Sequence, residues 1–528
     1  MAQWRTDLQE YKKPHNIHLF EVNMQANEYG YIESEGAAAR SAFGERIAVP
    51  ITPIIQYDAI YGFDPRHIQT LTNTVTGVAT SEDNMFKVSA GANTNSYGVI
   101  RSNNFLRYRP GQGALARFTA SYTANPVGFT QRAGLFNQEQ ALMIGYDSDN
   151  GKFGILRANG GKAHIHRFVF TTLGAGNVTI TLNGVAFTAV TVNGATVANN
   201  IAQLAAGLRL QALFNALYIV EYNGTEIRFL SNPLGPQTGA MTVTSTGTLS
   251  YTSEVLQAGV VQTNYWTYQA NWNLDKLDGT GPSGVILDPT KLNVYQINFR
   301  WLGAGEMRYA IENPLNGDVM FFHHEHYSNQ NTIPHLGNPS LKLGYVAANL
   351  GAVSGSVTVR GGSILGAVEG EVVHTRLPHS RSATRTTGLN TPGTRYHLLS
   401  ILNKTIFTGK LNTRDTILKT LTGAINTNGD PGIVEVWYNP TLANPLLWVV
   451  GDSHDASMSA TADTTGEFAL ASQTSLPIAT YYVSNGDTLN ADLQDLFFRM
   501  PPGNFMSITI RSTSNITAAS VSLIYIED

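Results

Sequence analysis

One stretch, residues 294–327, alternates apolar and polar residues with a period of two and constrains the fold more than any other part of the chain. Three runs, 294–301, 307–311 and 319–327, are separated by turns that contain glycine, asparagine and proline. Such runs predict antiparallel strands with one face in water and the other in a core. The first run carries large apolar side chains on one face, namely Tyr295, Ile297, Phe299 and Trp301. A face this wide needs a facing layer, so the pattern predicts half of a β-sandwich.

Size and composition place this pattern in a large, mainly β protein. At 528 residues the chain exceeds one ordinary core, and about two to four domains are expected. The 50 glycines, with many Thr, Asn and Val residues, are typical of short strands joined by tight turns. We therefore predict two antiparallel, jelly-roll-like β-sandwich domains, with a small α+β domain inserted in the first.

The first β-sandwich is predicted to be discontinuous, built from residues 41–170 and 262–375. Short apolar runs separated by turn residues fill both segments. Between two of these runs, Asn150-Gly151 predicts a two-residue hairpin of type I′, which needs positive φ at both positions. Residues 1–40 are polar and irregular, and they predict an N-terminal arm that is either frayed or docked on a neighbour.

Three further segments complete the predicted organisation. Residues 171–261 predict an inserted ββαβββ module, because two hairpin patterns flank a helix that Thr196 can cap. The apolar face of that helix consists of Ile201, Leu204, Ala205 and Leu208. Residues 376–394 are poor in apolar side chains and predict a linker, and residues 395–528 predict the C-terminal β-sandwich.

Charge and cysteine content exclude several functions. The net charge of -4 offers no basic surface for nucleic acid and no polybasic patch for a membrane. The absence of cysteine excludes disulfides, cysteine-ligated zinc and thiol catalysis. The first residues lack the apolar core of a signal peptide, and no run approaches the roughly 20 apolar residues of a membrane helix. We therefore expect synthesis in a cytoplasm, with neither nucleic acid nor membrane as a partner.

A histidine cluster at residues 323–326 is one candidate site. On a strand, His324 and His326 share a face and could bind a metal together with a third ligand from elsewhere. The spacing matches no standard zinc motif, so the favoured interpretation is the polar end of a strand, in water or at a subunit contact.

Two other segments combine charged residues in suggestive patterns. Asp147 and Asp149 resemble part of a calcium loop but lack the distant glutamate of an EF-hand, which favours a hairpin turn. Arg107 and Arg109 alternate with aromatic and aliphatic residues, a pattern that could stack on bases or sugars. The more common structure is a strand with the arginine stems packed over it.

Catalytic motifs are not recognisable in this sequence. It contains no phosphate-binding loop, dinucleotide fingerprint, nucleophile elbow or His-Glu-x-x-His. We therefore assign no catalytic, cofactor-binding or metal-binding residue, expect no cofactor, and do not expect an enzyme. Whether His324 and His326, or Asp147 and Asp149, bind a metal is left open.

Several segments of the chain resemble structural proteins of tailed bacteriophages. The similar segments are 273–291, 296–305 and 309–314, with 105–113, 134–136, 153–157 and 339–343. They cover the first sandwich and extend toward the C-terminal domain, whereas the insert resembles a module present in some members only. The resemblance implies a virion component with a concanavalin-like sandwich in the first domain, and it transfers no catalytic residue.

The favoured function is therefore a structural component of a virus particle, located in the virion after synthesis in the host cytoplasm. It would act as a homo-oligomer whose partners are copies of itself and other virion proteins. A capsid decoration, collar, fibre or tail position stays open. The first alternative is an adhesion protein that binds host-surface glycan, and the second is a polysaccharide-degrading enzyme.

Overall fold

The computed structural model describes most of the chain from residue 50 onward. Within residues 50–528 the described part omits 73–75, 94, 124–126, 352, 373–375, 441, 443–444, 451–455, 462–475 and 495–497. The chain divides into two compact units, Met1–Pro50 and Ile51–Asp528. In the first unit, β1 (Met24–Ala26) pairs with β2 (Ile32–Ser34). Apart from these two strands, the arm predicted over residues 1–40 lies outside the described residues.

The second unit consists mainly of antiparallel strands. It begins with β3 (Ile51–Asp58), β4 (Ile68–Thr72), β5 (Val78–Glu82), β6 (Met85–Ala90), β7 (Tyr97–Ser102), β8 (Ala114–Tyr122), β9 (Phe129–Phe136), β10 (Ala141–Tyr146) and β11 (Phe153–Asn159). The insert follows, with β12 (Ala163–Leu173), β13 (Gly176–Leu182), β14 (Val185–Ala186), β15 (Val190–Val192), α1 (Val197–Arg209), α2 (Ala212–Leu217), β16 (Tyr218–Tyr222), β17 (Glu226–Leu234), β18 (Thr242–Ser245) and β19 (Leu249–Gln257).

The remaining strands return to the first sandwich and then build the C-terminal one. The first group is β20 (Thr263–Tyr268), β21 (Asn293–Phe299), β22 (Met307–Glu312), β23 (Val319–Glu325), β24 (Lys342–Asn349), β25 (Val357–Gly361) and β26 (Ser363–Glu369), with a 3-10 turn at Gln269–Asn271. The second group is β27 (His379–Arg385), β28 (Tyr396–Asn403), β29 (Ile406–Phe407), β30 (Lys410–Leu411), β31 (Thr416–Thr427), β32 (Gly432–Tyr438), β33 (Val449–Val450), β34 (Ser457–Thr461), β35 (Ala479–Val483), β36 (Thr488–Asp492), β37 (Arg499–Met500), β38 (Phe505–Arg511) and β39 (Ile516–Glu527).

Two large sheets face each other in the first sandwich. One has the strand order β20-β11-β10-β9-β24-β7-β4, and the other has the order β23-β22-β21-β8-β25-β6-β5, with β26 and β3 attached beside β8. Their inner faces share one apolar core. The Tyr122 hydroxyl of β8 donates to the carbonyl oxygen of Ile144 in β10 at 2.9 Å, which ties the layers together. The predicted β-sandwich is confirmed.

The strands β21, β22 and β23 form the predicted central meander. Tyr295 lies opposite Ile311, and Ile297 lies opposite Tyr309 in an antiparallel register. Tyr295, Ile297 and Tyr309 are completely buried, so the alternate apolar residues do face the core. β23 is the edge strand of its sheet, and it ends at Glu325, within the histidine cluster at residues 323–326.

The hairpin at Asn150-Gly151 differs from the prediction. Gly151 has a φ of 62°, but Asn150 is not among the described residues with positive φ, so the turn is not of type I′. The connection is longer, because the Asp147 N–H donates to the Lys152 carbonyl oxygen at 3.0 Å and the strands begin beyond that pair. The Asp147 carboxylate accepts the Asp149 N–H within this loop, which favours the longer connection.

The insert leaves and rejoins the first sandwich at neighbouring positions. Asn159 at the end of β11 pairs with Thr263 at the start of β20. As predicted, the Thr196 side chain caps α1 by accepting the Asn199 N–H, and its apolar face is buried. A second helix, α2, was not predicted. β12 pairs with β17 and β19, so residues 163–170, expected in the first sandwich, lie in a sheet of the insert.

The C-terminal sandwich packs a sheet of order β27-β39-β31-β36, with β37 beside β31, on a sheet of order β33-β34-β28-β38-β32-β35. Their inner faces enclose a second core. The expectation of a linker over 376–394 is wrong for the residues of β27, which pair with β39. β27 is a polar edge strand, and only Ala383 and Arg385 on one face are buried, which explains its low apolar content.

The insert shares its apolar core with the C-terminal sandwich. Leu402, Leu446, Trp448 and Met458 pack in one cluster with the side chains of the insert's sheets and helices. The hydroxyl of Tyr222 in β16 donates to the carbonyl oxygen of Leu446 at 2.8 Å. In the described part of the chain, no helix is long and apolar enough to cross a membrane.

Candidate functional site

Three potential metal ligands meet where β23 ends and β22 begins. Arg308 in β22 pairs with His324 in β23, and this register brings Glu306, just before β22, next to the histidines. The Nδ1 atom of His324 lies 3.2 Å from Oε1 of Glu306, and Nδ1 of His326 lies 3.8 Å from the same oxygen. The ligand atoms of all three side chains lie within 4.8 Å of one another.

Two arginines hold the other oxygen of the same carboxylate. Oε2 of Glu306 accepts from Arg300 Nη2 at 3.0 Å and from Arg308 Nε at 2.7 Å. Oε1 is therefore left to face His324 and His326. Burial acts to raise the pKa of Glu306, but Arg308, Arg300 and His324 together lower it below its ordinary value. The carboxylate is ionised at neutral pH.

The electrostatic environment keeps the imidazole of His324 uncharged at neutral pH. Burial lowers the pKa of His324, and Glu306 opposes this only in part. A neutral imidazole can offer a nitrogen lone pair to a metal, whereas a protonated one cannot.

The other two residues of the tetrapeptide 323–326 lie outside this cluster. The ring nitrogen Nδ1 of His323 accepts the Asn273 N–H at 3.3 Å, and burial lowers the pKa of His323 to about 4. Glu325 forms a partly buried ion pair with Arg157 at 3.1 Å. His324 and His326 therefore share a cluster as the strand alternation predicts, while Glu306 was missed. The pairing of Arg308 with His324 brings Glu306 into the cluster, but the composition of the sequence does not reveal this register of β22 with β23.

The Asp147 carboxylate is engaged by neighbouring side chains. It accepts the Tyr268 hydroxyl at 2.6 Å and the Asn150 amide at 2.7 Å. Asp149 accepts the hydroxyl of Ser148 at 3.3 Å. These hydrogen bonds stabilise the turn itself, and they explain why its residues are polar.

Arg107 and Arg109 join the first sandwich to the last strand of the C-terminal one. Arg107 Nη1 lies 3.2 Å from Oδ1 of Asp528, and Arg109 forms an ion pair with Oδ2 of the same residue. The N–H of Asp528 donates to the carbonyl oxygen of Asp415 at 2.9 Å, and the Asp415 N–H donates back at 3.0 Å. The two arginines thus take part in a buried polar junction between sandwiches.

Comparisons with known proteins give no match in sequence and only distant likenesses in structure. No protein-family model matches it, and no curated protein matches it in sequence. Among solved structures, it resembles arcelin-5, a lectin-like defense protein from Phaseolus vulgaris, with 8% identity, a TM-score of 0.21, and coverage of 60% of this chain and 100% of that one.

Two further structures resemble parts of the chain. The endo-beta-1,4-glucuronan lyase from the fungus Trichoderma reesei has 9% identity, a TM-score of 0.18, and coverage of 62% and 96%. The STIV MCP has 9% identity, a TM-score of 0.15, and coverage of 87% and 96%. At such TM-scores these neighbours support no function. The class defined by the fold itself is an antiparallel β-sandwich protein with an inserted α+β module.

Proposed function

We propose that the chain is a structural component of a virus particle, of the kind found in tailed bacteriophages, and that it acts through subunit interfaces. The proposal rests on the sequence resemblance and on how the molecule uses its polar side chains. The charged residues in the Arg107–Asp528 junction and the Asp147 turn make internal contacts. The internal pairing of these groups supports an architectural role for them.

The observation that carries the proposal is the set of contacts that joins the first sandwich, the insert and the C-terminal sandwich into one unit. The insert shares an apolar core with the C-terminal sandwich. Its Glu221 accepts hydrogen bonds from Thr405 across that boundary. The ion pair between Arg109 and Asp528 joins the first sandwich to the C-terminal sandwich. These internal contacts fix the relative positions of the surface patches. Contacts that repeat through a particle require such fixed positions.

Exposed apolar side chains supply candidate anchors for those contacts. Tyr61 is 98% exposed, Leu315 is 77% exposed and Tyr482 is 73% exposed. Covering such side chains with a neighbour is favourable, because it removes apolar surface from water. We propose that copies of the chain and other virion proteins are these neighbours, in a homo-oligomer within the virion.

The test of the proposed function is composition and assembly. Particles purified from infected cells should contain the chain at a fixed copy number, and the recombinant full chain should form a discrete oligomer by light scattering. Loss of the chain by gene deletion should give defective particles. Normal particles without the chain, together with a monomeric protein in solution, would refute the proposal.

A half-exposed aromatic pair favours the adhesion protein as the second candidate. Trp266 and Tyr268 on the edge strand β20 stack with ring centroids 6.1 Å apart and planes inclined by 13°. Lys152 lies over Tyr268 at 5.3 Å. Flat aromatic surfaces with polar neighbours suit sugar rings. Glycan-array binding that Trp266→Ala abolishes would favour this function, and depolymerisation of host polysaccharide would favour the enzymatic one.

A further inference from the structure

We propose that Glu306, His324 and His326 form a binding site for a first-row transition metal of the Zn²⁺ type at the edge of the nine-stranded sheet. Two imidazole nitrogens and one carboxylate oxygen are a donor set that such ions use in proteins. The site goes beyond the proposed structural function and does not depend on it.

The spacing of the ligand atoms fits this ion. Two ligands at about 2.1 Å from a tetrahedral Zn²⁺ lie about 3.4 Å apart. The observed separations from Oε1 of Glu306 are 3.2 Å to His324 and 3.8 Å to His326. Small side-chain rotations therefore bring the three atoms into contact with one ion.

The two arginines orient the carboxylate for this role. Because Arg300 and Arg308 occupy Oε2, the lone pairs of Oε1 point toward the histidines, as in a monodentate metal ligand held by outer partners. Ion binding needs each Nδ1 as an electron-pair donor, so in the metal-bound form each imidazole carries its proton on Nε2.

The same arginines set a limit on the affinity and the choice of ion. Two guanidinium groups near one carboxylate leave a local excess of positive charge, which opposes a divalent ion. Hard ions such as Ca²⁺ and Mg²⁺ prefer oxygen ligands, so they would gain little from two imidazoles. His326 is 64% exposed, so a fourth position is open to water. We infer a moderate site selective for Zn²⁺, Ni²⁺ or Cu²⁺.

The test is calorimetric titration of the tag-free full chain with Zn²⁺, supported by Co²⁺ absorption, which reports the coordination geometry. His326→Gln at an exposed position keeps the fold, and it should weaken Zn²⁺ binding at least about tenfold. Glu306→Gln should do the same. Arg308→Gln removes an opposing charge while Arg300 still holds Oε2, so it should tighten binding by about two- to fivefold.

The control is His67→Gln, which removes an exposed histidine outside the cluster and should leave this binding unchanged. If Glu306, His324 and His326 are held together only by hydrogen bonds and bind no ion, Arg308→Gln shows no tighter Zn²⁺ binding. Absence of Zn²⁺ binding at millimolar concentration, or binding that His326→Gln and Glu306→Gln both leave intact, overturns the proposal.

Discussion

Glu221 of the insert and Thr405 of the C-terminal sandwich form a buried hydrogen-bonded pair. Oε2 of Glu221 accepts the Thr405 N–H at 2.8 Å and its hydroxyl at 3.0 Å. It also accepts the Ile406 N–H at 3.2 Å. Burial raises the pKa of Glu221, while Arg228 and these donors oppose the rise. One side chain thus satisfies two buried backbone N–H groups of a segment far away in sequence.

The first prediction concerns this pair. Glu221→Ala should lower the free energy of unfolding by about 2–4 kcal/mol, because it leaves two buried N–H groups without an acceptor. Glu221→Gln keeps an acceptor oxygen at the same position and should cost clearly less. Urea unfolding of both variants measures the difference. Equal losses in the two variants would contradict the assigned role of the acceptor.

The second prediction concerns the junction at Asp528. Asp528→Asn should lower the free energy of unfolding by about 2–4 kcal/mol, because it removes the charge of the buried carboxylate that Arg107 and Arg109 contact. The loss should persist at high salt, since buried pairs are poorly screened. Chemical denaturation at low and high salt measures it.

The matched control for that junction is the exposed pair of Arg66 and Asp64, whose nitrogen and oxygen lie 2.7 Å apart. Asp64→Asn should change the free energy of unfolding by less than about 1 kcal/mol. A similar loss in both variants would show that the Asp528 junction contributes no more than a surface ion pair.

The third prediction concerns the buried carboxyl of Asp415. Burial raises its pKa from 3.8 to about 6, and Arg499 and Lys342 only partly oppose this. The folded state therefore holds the proton more tightly, so stability falls as the pH rises from about 4 to about 6. The loss is roughly 3 kcal/mol at about 1.4 kcal/mol per pH unit.

Asp415→Asn cannot ionise and should escape this loss. Relative to the wild type, the variant should gain up to roughly 3 kcal/mol between about pH 4 and pH 7. Urea titrations across this range give the difference. Asp318→Asn at an exposed turn serves as the control, and parallel stability curves for the wild type and Asp415→Asn would rule out the raised pKa.

The fourth prediction concerns acid sensitivity. Burial, assisted by Arg385, lowers the pKa of His397 from 6.5 to about 3. The unfolded chain then takes up the proton first, so the stability contributed by neutral His397 is present above about pH 6.5 and is lost as the pH falls toward 3. Between pH 6.5 and pH 5 the loss is roughly 2 kcal/mol.

His397→Gln should flatten this acid limb, as measured by denaturation at about pH 7 and pH 5. His397 shares a 2.7 Å hydrogen bond with Ser400, whose hydroxyl contacts Ser507 at 2.6 Å. Ser507→Ala removes the hydroxyl that contacts Ser400 but keeps the histidine. The loss of stability between about pH 7 and pH 5 should therefore match that of the wild type. An unchanged limb in His397→Gln would contradict the assignment.

Two local patterns in the sequence predict local structure correctly in this protein. The meander at 294–327 follows from side-chain alternation, because a strand face repeats every two residues. The cap at Thr196 follows from its hydroxyl, which can accept a free N–H at a helix start. Both features depend on neighbours in the chain, and both are present.

Features set by distant pairing were missed for a common physical reason. Residues 163–170 alternate as any strand does, but alternation does not say which sheet the strand joins. The polar segment of β27 is a strand because β39 offers a free edge. Glu306 reaches the histidines only through the register of β22 with β23. Partners far apart in sequence decide each of these cases.

The central claim is that this β-rich unit works as a repeated part of a virus particle. The most direct measurement is a map of the assembled particle at side-chain resolution. We predict density for both sandwiches in every copy, with each copy burying more than about 1,000 Å² against its neighbours. Particles whose map accounts for all density without this chain would contradict the claim.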